Sequence, residues 1–356
     1  MSRPPDTSKG PKPPKAAPVR EAAEAFVLAR ETPTLAAPHA RDPLDVKRVM
    51  FIVVAALMPC AIAGWYLFGL RVLAMIAVSY AAGGLVEVIV ALVRKQEINE
   101  GFLVTGLLLP LTLPPGLPLW MVAAGSAFGS LVGKELFGGT GRNLFNPALV
   151  GRVFLSLAYP AAMSGHWIKP LCAFPGRLAQ YAGTALPEAL TGATPLLQAK
   201  EGHWSLVSAG SLFWGNVPGS AGETCVPAIL LGAALLLITG VANWRTMVAS
   251  LAGFAALALA MDVLRPGAFA PAYWQLPAGG LLLGVVFMAT DPVTGPITNG
   301  GKWVYGVLIG AVTVVIRDFT GYREGVMFAI LLGNIVAPLL DEIILGLRVR
   351  RRRNEP

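Results

Sequence analysis

A chain of 356 residues that is 55% hydrophobic and only 13% charged, with a mean hydropathy of +0.63, is not a soluble globular protein, whose charged share is about 25%. The net charge of +8 sits largely in the two tails, which suits membrane orientation and anionic lipid and argues against nucleic acid as a partner. Three cysteines (Cys60, Cys172, Cys225) and three histidines (His39, His166, His203) show neither metal-ligand spacing nor a hydrolase constellation; Cys172 and Cys225 could pair outside a membrane, but free thiols are expected.

In chain order, residues 1–45 are rich in Pro, Lys, Ala and Glu, cannot bury a core and read as a disordered tail with no visible signal peptide. Arg41–Arg48 (RDPLDVKR) mixes both charge signs and reads as an interfacial segment. Ten apolar spans follow, at about Val49–Leu70, Val72–Val93, Phe102–Leu113, Leu119–Val132, Ala148–Met163, Val226–Ala242, Met247–Leu264, Leu276–Thr290, Trp303–Ile316 and Gly325–Leu347. The expected fold is an all-α polytopic membrane protein of about ten transmembrane helices. Its units are a first half over 46–163, a connecting loop over 164–225, a second half over 226–347 and a basic tail over 348–356. Several spans are short for a core of ~30 Å, and the prolines of LTLPPGLP end the third. Short, Pro/Gly-interrupted segments are what transporters place near a midplane site.

Nine Lys or Arg precede Val49, and Arg348 and Arg350–Arg353 close the chain, so both tails are expected on the cytoplasmic side, which an even number of spans allows. That puts Leu136–Pro147 inside and the 164–225 loop outside. The two halves echo each other weakly. Asn99–Gly101 and an Asn/Gly turn in the first face ATDPVTGPITNGGK (Ala289–Lys302) in the second, followed there by Asn334 and Asp341, so an inverted repeat is expected.

Five polar features stand out of this apolar background. In LFGGTGRNLFNP (Leu136–Pro147), Gly138, Gly139 and Gly141 permit positive φ, and Pro147 suits the first turn of a new helix. Asn143 and Asn146, if helical, share a face, and two amides can read a planar hydrogen-bonding ligand; the plainer reading is a turn with Asn capping. Glu87 lies mid-span, where a carboxylate costs at least ~2.5 kcal/mol and needs a partner or a role. Gly83 and Gly84, one turn away, make a notch for another helix or a flat ligand. Asp341 follows Asn334 by seven residues on one side of the last span, as a cation-handling oxygen face or as an interfacial residue before the Arg run. Asp291, before Pro292, reads as a cap or turn residue. In LTGATP (Leu190–Pro195) the small residues make a turn, and they leave the Thr194 hydroxyl open as a phosphate-ester acceptor.

Together LFGGTGRNLFNPALVGR, LTGATP and FMATDPVTGPITNGGKWVYGVLIG, with PHARDPLDVKR, KQEINEGF and PLLDEIIL, resemble the B subunits of the sodium-translocating NADH:quinone oxidoreductase, a family match that runs from about Ala37 to Arg350. The resemblance implies flavin mononucleotide (FMN) held covalently on Thr194 through a phosphodiester, with Glu188 where the family usually carries Asp. It also implies non-covalent riboflavin at Asn143 and Asn146, ubiquinone at Gly83 and Gly84, and Na+ handled by Glu87 and Asp341. The implied partners are the other subunits of a six-subunit complex, a flavin transferase and the lipid of a bacterial inner membrane, with NADH oxidised on another chain. Two other readings stand beside it: the D subunit of the related Rnf ferredoxin-linked complex, and a cofactor-free channel or transporter on the same scaffold.

Overall fold

The computed structural model describes residues 46–95, 101–165, 167–171, 174–181, 194–267, 269–322 and 324–354. The expectations for the N-terminal tail, Asn99, His166, Cys172 and Glu188 lie outside these residues. The described part is helical, and ten helical segments build its bundle. In chain order they are α1 Val46–Phe68, α2 Leu70–Arg94, α3 Gly101–Leu111, α4 Leu119–Gly133, α5 Pro147–Ala158, α6 Val226–Ile238 and α7 Trp244–Leu264. The eighth, α8, is Leu281–Leu283 running on into a π turn at Gly284–Met288; α9 is Asn299–Phe319 and α10 is Val326–Asn354. Five of them (α1, α2, α7, α9, α10) are long and apolar enough to cross a membrane.

The shorter segments end where the sequence breaks them. Pro110 sits in the last turn of α3, and the chain then turns through residues 112–118 before α4. Pro160 holds Tyr159 outside helical geometry (φ −133°, ψ 57°), so the fifth span stops at Ala158 and resumes as a separate turn, Pro160–Gly165. The eighth span, expected at Leu276–Thr290, is only Leu281–Met288. It is enclosed by protein on nearly every side, so it needs no lipid-spanning length. At the other end, α10 runs on through the arginines expected to form a tail.

Each half buries an arginine against backbone carbonyls of its broken stretch. Arg71 donates to Pro115 O (2.9 Å) and Leu117 O (2.8 Å) after α3. Arg317 donates to Gln275 O (2.8 Å) and Ala278 O (2.9 Å) before α8. Such carbonyls have no water to turn to inside a bundle, and a guanidinium with its fork of donors satisfies two at once.

The expected inverted repeat is visible in the packing. α2 lies on α4 as α7 lies on α9, α4 on α5 as α9 on α10, and α1 on α3 as α6 on α8. The halves meet where α1 packs against α6 and α5 against α10. α1 and α6 run antiparallel: the start of α1 (Val49, Met50) shares a cavity with the stretch just after α6 (Val241, Ala242), and Gly64 near its end abuts Ala221 just before α6. One apolar core joins both halves, from Leu57, Leu108 and Leu149 to Ile229, Phe254 and Ile330.

Candidate functional site

At the end of the bundle where α1 begins, a partly open cavity lies between the halves. Its walls come from α1 (Val49, Val53), α3 (Gly101, Thr105), the residue after α4 (Lys134), the α4–α5 turn (Thr140, Asn143, Asn146), Val241 and Ala242 after α6, and α8 with the turn after it (Phe287, Asp291). Most of the lining is apolar, and a few polar groups converge on it, the usual make-up of a small-molecule site.

The α4–α5 turn is built as its residues dictate. Gly138, Gly139 and Gly141 take φ of 110°, 93° and 86°. Pro147 is the first residue of α5 and forces Asn146 into an extended conformation (φ −66°, ψ 119°). The two asparagines are therefore not on a helix face: Asn146 is the N-cap of α5 and Asn143 lies in the turn. They still reach the same cavity, buried to 5% and 8% exposure.

Their amides are half used. Asn146 Oδ1 accepts from Ala148 N (3.0 Å) and Leu149 N (3.4 Å), and Asn143 Nδ2 donates to Phe145 O (3.0 Å). These bonds fix which end of each amide is which. Among the described residues they leave Asn146 Nδ2, a donor, and Asn143 Oδ1, an acceptor, unengaged. That pair complements a planar ring edge carrying both a carbonyl and an N–H. Thr140 Oγ1, also on this wall, is buried without a hydrogen-bond partner among the described residues.

Lys134 is the residue the sequence reading missed. Its Nζ lies 2.7 Å from Glu87 Oε1, both side chains are under 5% exposed, and Lys134 lines the cavity. A signal was present: a mid-span carboxylate calls for a counter-ion, and Lys134 is a lone cation at the end of an apolar span. Glu87 thus has a partner, the Lys134 ammonium.

The notch beside Glu87 divides in two. A Cβ on Gly83 would stand 2.8 Å from Ser126 Oγ, so that glycine lets α4 approach closely. Gly84 is half-buried with only Phe102 near it, 3.8 Å from where a Cβ would stand. Neither glycine lines the cavity.

Asp341 and Asn334 both face α9 but do not form one site; they lie about 10 Å apart along α10. Asn334 is fully buried and accepts from the Tyr305 hydroxyl (2.9 Å). Asp341 accepts from Ile297 N (2.7 Å), Thr298 N (2.9 Å) and Thr298 Oγ1 (2.5 Å), tying α10 to the start of α9. Asp291 accepts from Val293 N (3.0 Å), the turn role expected of it.

Thr194 is at the other end of the bundle. It caps the short helix Pro195–Lys200, with Oγ1 accepting from Leu197 N (3.3 Å), and is 7% exposed. That helix is pinned to the far end of α9: Lys200 Nζ donates to Thr320 O (2.7 Å) and Tyr322 O (2.6 Å). A second cleft there is lined by Leu196, Lys200, Gln275, Arg317, Asp318 and Thr320. The asparagine cavity reaches Asp291, before α9, and the Thr194 helix meets Thr320 and Tyr322, just after it, so the two places lie toward opposite ends of that helix.

Fold and cavity define the class: an α-helical membrane protein with an inverted repeat, broken helices and a polar-tipped cavity between its halves. The chain belongs to the NQR2, RnfD, RnfE family, which matches residues 34–348. It is similar to proteins named as the B subunit of Na(+)-translocating NADH-quinone reductase. That of Azotobacter vinelandii is 38% identical over 386 residues, covering 93% of this chain and 92% of the relative. That of Klebsiella pneumoniae is 37% identical, covering 95% and 94%. That of Pseudomonas aeruginosa is 35% identical, covering 94% and 93%.

Proposed function

We propose that this chain is the membrane-embedded B subunit of a sodium-translocating NADH–quinone reductase, and that it carries the flavins through which electrons pass toward quinone. The observation that carries the reading is the match to relatives of that name over nearly the whole length of both chains. Flavins, when bound, supply one- and two-electron transfer. The chain's residues fit such groups at two places. In the cavity, Asn146 Nδ2 would donate to a ring carbonyl, Asn143 Oδ1 would accept from a ring N–H, and the apolar walls would exclude water; riboflavin meets these demands. At the other end, the Thr194 hydroxyl would hold FMN by a phosphate ester once its cap bond to Leu197 N opens. Gly84, the roomier of the two glycines, would admit a quinone ring beside Gly83 and the helix carrying Glu87. Na+ would pass by Glu87 and Asp341, each of which would first release its present hydrogen-bond partners.

In this reading both tails are cytoplasmic, in a bacterial inner membrane, and Thr194 is external. Electrons then traverse the membrane within this chain, and the partner subunits oxidise NADH. The test is co-expression with a flavin transferase. Thr194→Val should abolish the ultraviolet fluorescence of the chain in a denaturing gel, and intact-mass analysis of the wild-type tryptic peptide spanning Thr194 should show an added FMN. An unmodified peptide would end the covalent assignment. A purified chain with no flavin of either kind would favour a channel on this scaffold.

A further inference from the structure

We propose that the Lys134 ammonium is shared between Glu87 and the electron-carrying ligand of the Asn143–Asn146 cavity, so that an electron arriving in the cavity releases Glu87 to take a cation. The inference rests on the flavin reading of that cavity. Its own basis is geometric. Lys134 is both the 2.7 Å partner of Glu87 and a wall of the cavity. Among the described residues lining that cavity it is the sole cation, and Asp291 on the opposite wall is the sole anion. Gly101 keeps the ammonium free to turn: a Cβ there would stand 3.1 Å from Lys134 Nζ and 2.7 Å from Thr140 Oγ1. The other nearby carboxylate, Glu135, is engaged by Arg94 at 3.6 Å.

The charges balance. With the cavity ligand oxidised, Glu87 and Lys134 neutralise each other. One electron from a reduced flavin or iron–sulfur partner adds a negative charge to the cavity. Such a charge attracts Lys134, the sole cation among the described lining residues. When the ammonium turns toward the cavity, the Glu87 carboxylate is left uncompensated, and one Na+ restores neutrality. When the electron leaves for quinone, the ammonium returns and the Na+ is expelled. Lys134 acts here by charge and position, forming no bond with the electron carrier.

The test is a redox titration of the non-covalent flavin in the purified full-length chain, in a Thr194→Val background so that only the cavity flavin is read, with and without Na+. Lys134→Met should weaken one-electron reduction at least tenfold, a shift of about 59 mV to lower potential. Glu87→Gln should move the potential the opposite way by freeing the ammonium. Both should lose the rise in potential with Na+ expected of the parent. The double variant, which leaves no lone buried charge, guards against misfolding and should return near the parent potential without Na+ dependence. Equal potentials, or shifts of the same sign in the two single variants, would reduce the pair to a structural ion pair and overturn the proposal. Absence of flavin from the parent itself would overturn the cofactor reading and this proposal together, whereas flavin present with an unmoved potential overturns this proposal alone.

Discussion

Asn143 and Asn146 act differently on one wall, and single substitutions should separate them. Asn146→Ala removes the cap of α5, so a stability loss of about 0.5–2 kcal/mol is expected along with loss of the cavity flavin. Asn143→Ala removes only a bond to Phe145 O within the turn, so it should lose flavin with little change in melting temperature. Acid-extracted flavin and thermal unfolding, measured on both variants, check this; retention of flavin by both would detach the asparagines from the ligand. The two glycines should separate as well. Gly83→Val drives a side chain into Ser126 on α4 and should lower the yield of folded protein. Gly84→Val meets only Phe102 at ordinary contact distance, so a folded variant with weakened quinone kinetics and normal flavin is expected. Quinone kinetics unchanged in that variant would leave the pair with packing alone.

Between elements, the halves are joined by buried charge as well as by apolar contact. Arg152 on α5 pairs with Glu223 just before α6 at 2.5 Å and with Glu324 just before α10, and Arg152 and Glu223 are 3% and 2% exposed. Removing the arginine strands two carboxylates, so Arg152→Met should cost about 3–5 kcal/mol, visible as a lower unfolding temperature in detergent. A variant as stable as the parent would show that the cluster is neutralised in some other way. Asp341 plays a comparable part between α10 and the start of α9. Asp341→Asn keeps the shape but weakens three charge-assisted bonds, each worth about 1.5–3 kcal/mol. If the residue also handles Na+, the variant should need more Na+ for half-maximal quinone reduction. Lowered stability with unchanged Na+ dependence would make it a cap and no more.

For the whole molecule, the inverted repeat sets which groups lie at which end of the bundle. Thr194 and the asparagine cavity lie toward opposite ends of α9. With the basic tails on the cytoplasmic side, a reporter fused after Pro356 should be active only there, and an impermeant thiol reagent should reach a cysteine placed beside Thr194 only from outside. A tail reporter active outside would invert the whole arrangement, and labelling of both positions from one side would contradict the separation.

The sequence by itself determined the class, the ten segments, most of their ends and the family. Length, hydropathy and proline placement act locally: a run of apolar residues must be helical in lipid wherever it lies, and Pro110, Pro147 and Pro160 break or start helices by their own ring geometry. It also singled out Glu87 as a carboxylate in need of a partner, because the cost of a lone charge depends on depth alone. Only the tertiary structure could supply that partner, since Lys134 lies 47 residues away and reaches Glu87 through the packing of α2 on α4. The same holds for the cavity, whose walls come from both halves, and for Asp341, whose three donors belong to the stretch leading into α9. Charges and ligands are satisfied by neighbours in space, and which neighbours those are is settled when the two repeats close on each other, a matter of side-chain fit that no local pattern records.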